Sequence, residues 1–334
     1  MTNYSAVRHI LRTALQAGAA FRYRRVPMLV LIFKRLLIAL ATVVSVIILS
    51  GILIHIVPGD PVTAMMAQSV TASPEAMAQM RARLGLDLPV WQQVGLYTWH
   101  VFQGDLGMTI RGNEPVARLL LQRLPNTFVL AVSGLGVALA IGIPLGFLAA
   151  IHRGKLTDTA VMVIAVLGVS IPGFWLGLIM IQVFSLKLGW LPVAGSGLRN
   201  IILPALTLGL TYCALVARMT RSALVEVLAE DYIRTARARG LREYQVLLVH
   251  ALKPVLISIV TVVGLVFAYL LGGQVIIENV FSWNGIGRLA VQAMLERDYP
   301  MIQGFIVVFA SSVVIVSMLI DILYGFLDPR MRQR

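Results

Sequence analysis

The side chains of this 334-residue chain that could carry out chemistry are few and scattered. No HExxH or GxSxG motif occurs, and the single cysteine, Cys213, excludes a disulfide within the chain. The pair Gly154-Lys155 lacks the upstream glycine that a phosphate-binding loop requires. The histidines show no metal-ligand spacing; they are His9, His55, His100, His152 and His250. We therefore expect no catalytic site, no bound cofactor or metal ion, and no hydrolysis of ATP by this chain alone.

The composition excludes a soluble globular protein. Hydrophobic residues form 58% of the chain and charged residues 13%, and the mean hydropathy is +0.85, whereas ordinary soluble domains carry about 25% charged residues. Six apolar runs are long enough to cross a hydrocarbon core of ~30 Å. They cover residues 36–57, 127–151, 160–186, 201–217, 255–277 and 301–327. The sequence thus predicts an all-α integral membrane protein with six transmembrane helices.

The distribution of positive charge predicts the orientation of these helices. Six crossings place both termini on one side, and assigning them to the cytoplasm puts 19 of the 28 Lys and Arg residues on that side. Cytoplasmic segments of bacterial membrane proteins carry such an excess. Both termini are therefore expected in the cytoplasm. The net charge of +13 reflects topology, and we expect no nucleic-acid partner.

Asp321 is the one ionised residue within the six apolar runs. A carboxylate in the middle of a bilayer costs about 2.5–3.5 kcal/mol, so Asp321 needs a partner. It precedes Leu327 by roughly 9 Å of helix, which places it in the cytoplasmic third of the membrane. Pairing with an arginine or a hydroxyl on that side is the favoured interpretation. A proton relay is the alternative, although a relay needs a second buried acid or histidine.

Small residues in the fifth apolar run share one helical face. Gly264, Ala268 and Gly272 recur at a spacing of four, which lets a second helix approach closely. The pattern predicts a packing face, although glycine is frequent in membrane helices generally. In the third run, Pro172-Gly173 predicts an interruption.

A polar segment of 36 residues, 218–253, separates the fourth and fifth runs. Asp231 is predicted to cap a short helix there, with Arg237 and Arg239 in its last turn and Gly240 as its stop at positive φ. Ala236 and Ala238 offer small side chains against which a partner could pack, and Arg234, Arg237 and Arg239 could pair with acidic groups of that partner. The candidate residues for contact with a partner protein are those of this helix and its ends: Glu230, Asp231, Tyr232, Ile233, Arg234, Thr235, Ala236, Arg237, Ala238, Arg239 and Gly240.

This stretch resembles the EAA-type loop of permease subunits of binding-protein-dependent ABC importers, in the branch that transports dipeptides, oligopeptides and nickel. Further motifs agree with that branch in the same order along the chain. They include Phe33-Lys34-Arg35-Leu36-Leu37, Pro58-Gly59-Asp60-Pro61, Gly104-Asp105-Leu106-Gly107, Gly189-Trp190-Leu191-Pro192, Gly285-Ile286-Gly287 and Arg297-Asp298-Tyr299-Pro300. The resemblance covers nearly everything after residue 33.

The resemblance implies a type-I (MetI-like) permease fold in the bacterial inner membrane. Its expected organisation is a cytoplasmic extension (1–33), a first transmembrane helix with a long external loop (34–122), a core domain (123–328) that includes the coupling loop 218–253, and a tail (329–334). Its expected partners are a second homologous permease, two cytoplasmic ATPase subunits that bind ATP and Mg, and an external or periplasmic substrate-binding protein. The external loop, with a helix predicted at 74–84, would help to dock that binding protein.

A secondary transporter and a membrane enzyme are the two alternative function classes for such a chain. A secondary, ion-coupled transporter would require inverted repeats and intramembrane ion ligands, and a membrane enzyme would require a catalytic constellation. The sequence favours neither. Peptides are the preferred substrate, ahead of glutathione and nickel chelates, and the sequence leaves the substrate-binding residues unknown.

Overall fold

The computed structural model describes residues 28–56, 75, 78, 81, 87–110, 112–195 and 197–327, and this part of the chain is helical, without a β-strand. Residues 1–27 of the predicted extension, the predicted tail 329–334 and nearly all of the helix predicted at 74–84 lie outside the described residues. The helices are α1 Met28–Ile56, α2 Val90–Phe102, α3 Val116–Ile151, α4 Leu156–Ser170, α5 Gly173–Met180, α6 Ile202–Leu228, α7 Asp231–Ala238, α8 Leu252–Val280, α9 Ile286–Glu296 and α10 Tyr299–Leu327.

Within the described ranges, four helices are long and apolar enough to cross a membrane: α1, α3, α6 and α10. Two bent helix pairs raise this number to six if each pair forms one span. The all-helical membrane fold is confirmed. Several helices exceed the apolar runs, since α3 begins at Val116 and α6 ends at Leu228. Helical hydrogen bonding does not stop where apolar side chains stop, so the runs predicted only the parts suited to hydrocarbon.

Prolines account for both bent pairs. Pro172 stands between α4 and α5, and the two halves meet at 95°, which confirms the predicted interruption. The second pair, bent by 46°, joins Glu243–Leu256 to Ser258–Leu271. Pro254 lies just before this bend, and its missing N–H cannot bond the carbonyl of His250. A π-helical turn, Val246–Ala251, leads into α8 at this point.

Helices α3 and α6 pack at close range through glycines. A Cβ atom on Gly142 would lie 2.7 Å from the carbonyl oxygen of Cys213, and one on Gly146 would lie 2.5 Å from that of Ala217. Gly209 of α6 fits in turn against Val137 of α3. Contact through bare backbone compensates for the absence of a hydrophobic driving force between helices in lipid. The α3–α6 pair therefore forms the scaffold to which the other helices attach.

Buried clusters lie at both ends of this scaffold. At one end, here called the α9 end, Val116, Leu120 and Ile286 are fully or nearly fully buried. At the opposite end, the α7 end, Leu224 and Ile233 belong to a second cluster. Helix α1 lies at the periphery against α2 and α10. These two ends carry the polar groups from which a site can be built.

Candidate functional site

Helix α7 begins with Asp231, directly after the turn that ends α6. The preceding residue, Glu230, occupies the N-cap position with extended backbone and makes no side-chain capping hydrogen bond. The prediction that Asp231 caps this helix is therefore wrong, because Asp231 is already its first helical residue. Its carboxylate accepts a hydrogen bond from Arg234 Nη1 over 3.2 Å, and it lies where negative charge favours a helix N-terminus.

The end of α7 is confirmed as predicted. Gly240 has φ +78°, and its N–H donates to the carbonyl of Arg237 over 2.9 Å. A Cβ atom on Gly240 would meet no other group within 4 Å. Glycine is therefore favoured here by backbone conformation and not by crowding.

One face of α7 is fixed to the protein itself. Ile233 is 0% exposed and Ala236 is 6% exposed, and both pack in a cluster with Leu224 and Val246. The expectation that Ala236 belongs to a surface open to a partner is therefore wrong. A spacing of three places Ile233 and Ala236 on the same helical face, and the isoleucine directs that face into the core.

The opposite face of α7 is exposed and polar. Arg237 Nη2 pairs with Glu243 Oε1 at 2.7 Å, and this hydrogen bond raises the pKa of the Arg237 guanidinium. The remaining candidate side chains on this face are Tyr232, Arg234, Thr235, Ala238 and Arg239, all exposed. The structure thus gives α7 one anchored face and one accessible face.

An ion pair not predicted from the sequence joins α4 to α6 at the α7 end. Arg221 donates from Nε to Asp158 Oδ1 over 2.5 Å and from Nη2 to Oδ2 over 2.7 Å. The N–H of Gly154 donates to the same carboxylate over 3.0 Å. The Asp158 side chain is 7% exposed and that of Arg221 26%. This bidentate geometry is the strong form of the arginine–carboxylate pair.

A second unpredicted site occupies the α9 end. Glu278, at the end of α8, is 0% exposed. Its Oε1 accepts a hydrogen bond from Thr127 Oγ1 over 2.6 Å, and its Oε2 accepts one from the N–H of Arg288 over 3.0 Å. The N–H of Gly287 is a further donor. The carboxylate therefore receives the first N–H groups of α9, which suits a helix N-terminus.

The Gly285-Ile286-Gly287 motif is explained by this carboxylate. A Cβ atom on Gly285 would overlap the Glu278 carboxylate, and one on Gly287 would lie 3.0 Å from Glu278 Oε2. The predicted fifth run ended one residue before Glu278. An acidic residue directly after an apolar run and a few residues before Gly-x-Gly was the signal that could have identified it.

Asp298 fixes a loop to the start of α10 at the same end. Its Oδ2 accepts from the N–H of Ile110 over 3.0 Å and its Oδ1 from the N–H of Met301 over 3.2 Å. Burial raises the pKa of this carboxyl, while the two backbone donors lower it. The Arg297-Asp298-Tyr299-Pro300 motif therefore contains a helix cap that also holds the loop before α3.

The predicted small-residue face is placed against α10 at one position. A Cβ atom on Gly264 would lie 2.7 Å from Ile320 Cγ2, so α8 and α10 lie close together at this position. Ala268 is half-buried. Gly272 and Asp321 lie within α8 and α10, but their side-chain surroundings fall outside the described part of the chain. Among the described residues, no group of three His, Cys, Asp or Glu side chains could hold a metal ion.

Comparisons with known proteins cover almost the whole chain. Residues 142–333 match the family "Binding-protein-dependent transport system inner membrane component", and residues 28–131 match "Binding-prot-dependent transport system membrane comp, N-term". A putative peptide transport system permease protein of Brucella abortus (strain 2308) is 42% identical over 314 residues, 91% of this chain and 99% of the relative.

Two Escherichia coli relatives agree with this match. The dipeptide transport system permease protein DppB of strain K12 is 38% identical over 339 residues, covering 92% of this chain and 100% of DppB. The glutathione transport system permease protein GsiC of O6:H1 is 41% identical over 312 residues, with 92% and 100% covered.

The fold also has solved counterparts. A chain of the MetNI methionine ABC transporter superposes with a TM-score of 0.52 at 20% identity, covering 63% of this chain and 96% of that one. A second crystal form gives a TM-score of 0.54 at 22% identity, with the same coverage. At this level of identity the likeness concerns the fold alone.

Proposed function

The chain belongs to the family of binding-protein-dependent transport system inner membrane components, and on this premise we propose that it forms part of a peptide uptake pathway. It is a multi-pass permease of the bacterial inner membrane and a non-catalytic subunit of an ABC importer. Peptides are the proposed substrate because the Brucella and DppB relatives are named for peptide and dipeptide transport.

The proposed topology has six crossings with both termini in the cytoplasm. Counting each bent pair as one span gives six, and the excess of Lys and Arg supports cytoplasmic termini. The α7 end is then cytoplasmic and the α9 end external. We also propose the domain boundaries expected from the sequence, with the core domain at residues 123–328.

ATPase and substrate-binding-protein partners follow from the family. We further propose a second permease and two ATPase subunits, with ATP and Mg bound by the ATPases and no cofactor bound by this chain. The binding protein would deliver substrate at the α9 end.

Helix α7 is the proposed contact with the ATPase, and one observation carries this assignment. Ile233 and Ala236 anchor one face in the core, while Tyr232, Thr235 and Arg239 face outward. A helix held in this way moves together with α6 and α8 when its outer face is pushed. Contact surfaces without an anchored side could not transmit such a movement.

The test of α7 compares two glycines of positive φ. Gly240→Val should lower ATPase co-purification and peptide uptake, because valine at positive φ costs ~1 kcal/mol or more and distorts the end of α7. Gly189→Val is the matched control and should leave both unchanged, since Gly189 also has positive φ (+63°) and open space around it but lies between α5 and α6. Normal uptake and co-purification with Gly240→Val would show that α7 does not transmit the movement.

A second experiment separates the importer from an ion-coupled transporter. Uptake of a labelled dipeptide into proteoliposomes should require the binding protein and ATP, and it should persist when a protonophore collapses the proton gradient. Uptake by the chain without an ATPase, abolished by the protonophore, would contradict the proposed function.

A further inference from the structure

Helix α2 presents an exposed aromatic stripe. Trp91 is 72% exposed, Trp99 62% and Phe102 56%, and their spacing of eight and three places them along one side of the helix. Leu96, 47% exposed, borders this stripe. Exposed apolar area of this kind marks an interaction surface.

The opposite side of α2 packs against α1 near the end of that span. A Cβ atom on Gly51 would lie 3.3 Å from Tyr97 Cδ1 and 3.6 Å from Val94 Cγ1. Gly51 precedes the last residue of α1, Ile56, by about 7.5 Å of helix. Helix α2 therefore packs against α1 less than two helical turns from the end of that helix.

Charge is absent from the stripe and present at its borders. Residues 88–102 contain no Asp, Glu, Lys or Arg, whereas the exposed residues Asp87 and Asp105 flank this stretch. A helix that faces water or a polar protein surface normally carries charged side chains on its outer face. Tryptophan, by contrast, is enriched where hydrocarbon meets water.

The stripe also adjoins surface that faces lipid. Ile48 and Leu49 of α1, next to the Gly51 contact, are 39% and 65% exposed. On a peripheral span, exposed apolar side chains of this kind are suited to contact with acyl chains. The apolar surface of α2 extends this surface beyond the Gly51 contact.

We propose that α2 lies in the membrane interface, with Trp91, Trp99 and Phe102 inserted among the lipid headgroups and upper acyl chains. The bilayer is the occupant of this face, and the helix anchors the loop before α3 to the membrane surface. This proposal requires only that α1 spans the membrane, and it is independent of the substrate and of the ATPase.

Tryptophan fluorescence of the assembled importer in proteoliposomes tests the proposal. Lipids brominated near the top of the acyl chain should quench the wild type more strongly than lipids brominated near the methyl end. Because Trp175 and Trp190 are also exposed, all of these proteins carry Trp175→Phe and Trp190→Phe, and in that background the Trp91→Phe/Trp99→Phe variant should lose most of this difference. Trp283→Phe is the control, because Trp283 is only 7% exposed and its removal should leave the difference unchanged.

A spin label at position 96 gives an independent measurement that keeps both tryptophans. In a Cys213→Ser background, a Leu96→Cys label should collide with oxygen more often than with a water-soluble nickel chelate. Equal lipid quenching of wild type and double variant, or a label exposed mainly to the chelate, would overturn the proposal. Loss of lipid quenching on adding the binding protein would also overturn it, because the stripe would then be a protein-docking surface.

Discussion

Carboxylates are held differently at the two ends of the molecule. At the α9 end, Glu278 and Asp298 are buried and accept hydrogen bonds from backbone N–H groups, with a hydroxyl added at Glu278. At the α7 end, Asp158, Asp231 and Glu243 pair with arginine side chains, and Asp158 also accepts from the N–H of Gly154. Backbone N–H groups are therefore the main donors to carboxylates at the α9 end, and arginine side chains are the main donors at the α7 end.

The difference concerns how easily each contact can be exchanged. A backbone N–H is fixed by its helix, so a carboxylate bound to it determines the position of that helix. An arginine side chain can leave one carboxylate for another, and exposed pairs of this kind contribute little stability. The contacts of the α9 end thus hold helices in fixed positions, whereas the two exposed pairs of the α7 end, Asp231–Arg234 and Arg237–Glu243, are contacts that a partner can replace.

The largest effect should come from removing the Glu278 carboxylate. Glu278→Leu leaves Thr127 and the N–H groups of Gly287 and Arg288 without their acceptor, at a cost of about 2–5 kcal/mol. Glu278→Gln should cost less, because an amide oxygen can still accept from the backbone while its NH2 group donates to Thr127. Thermal unfolding in detergent measures both, and a glutamine variant less stable than the leucine variant would contradict the assigned hydrogen bonds.

The Asp158–Arg221 pair should show the next largest effect. Each charge-assisted hydrogen bond contributes about 1.5–3 kcal/mol, and this pair is better shielded from water than the other ion pairs of the α7 end. A double-mutant cycle of Asp158→Asn and Arg221→Gln should therefore be strongly non-additive. Additive losses of stability would show that the pair does not connect α4 to α6.

The scaffold between the ends can be tested with two glycines of α3. Gly142→Ala should cost about 1–3 kcal/mol, because its methyl group meets the Cys213 carbonyl and the Val216 side chain. Gly136→Ala is the matched control, since nothing lies within 4 Å of its Cβ position. That control should be neutral or slightly stabilising in a helix. Equal melting temperatures for the two variants would show that the close α3–α6 contact at Gly142 does not stabilise the protein.

The smallest effect should come from Arg237 and Glu243. Their side chains are 42% and 56% exposed, so Arg237→Gln should change stability by about 0.2–1 kcal/mol and less at high salt. ATPase binding should respond more than stability does. A loss of stability as large as that of Glu278→Leu would abolish the contrast between the two ends.

The sequence predicted features that depend on local pattern. The apolar runs, the break at Pro172 and the positive φ of Gly240 each follow from a few neighbouring residues. Which face of α7 is buried was not predicted correctly, because Ala236 was assigned to an exposed face. The burial of Ile233 sets the orientation of the whole short helix and turns Ala236 toward the core.

Pairings between distant segments could not be predicted in the same way. Asp158 and Arg221 are 63 residues apart, and Thr127 and Glu278 are 151 apart. Which acid meets which donor depends on how α3, α4, α6 and α8 pack, and a single sequence contains no local signal for that choice. The Asp158–Arg221 and Thr127–Glu278 pairs could therefore be identified only from the folded structure.

The break at Pro172 has a consequence for hydration. Irregular backbone at membrane depth is found only where protein groups or water can satisfy its polar atoms. The break lies beside α6, where a Cβ atom on Gly173 would be 3.3 Å from the hydroxyl of Thr211. Lipid cannot solvate this stretch, so the 95° turn identifies a part of the span that must be wet or covered by protein during every cycle of transport.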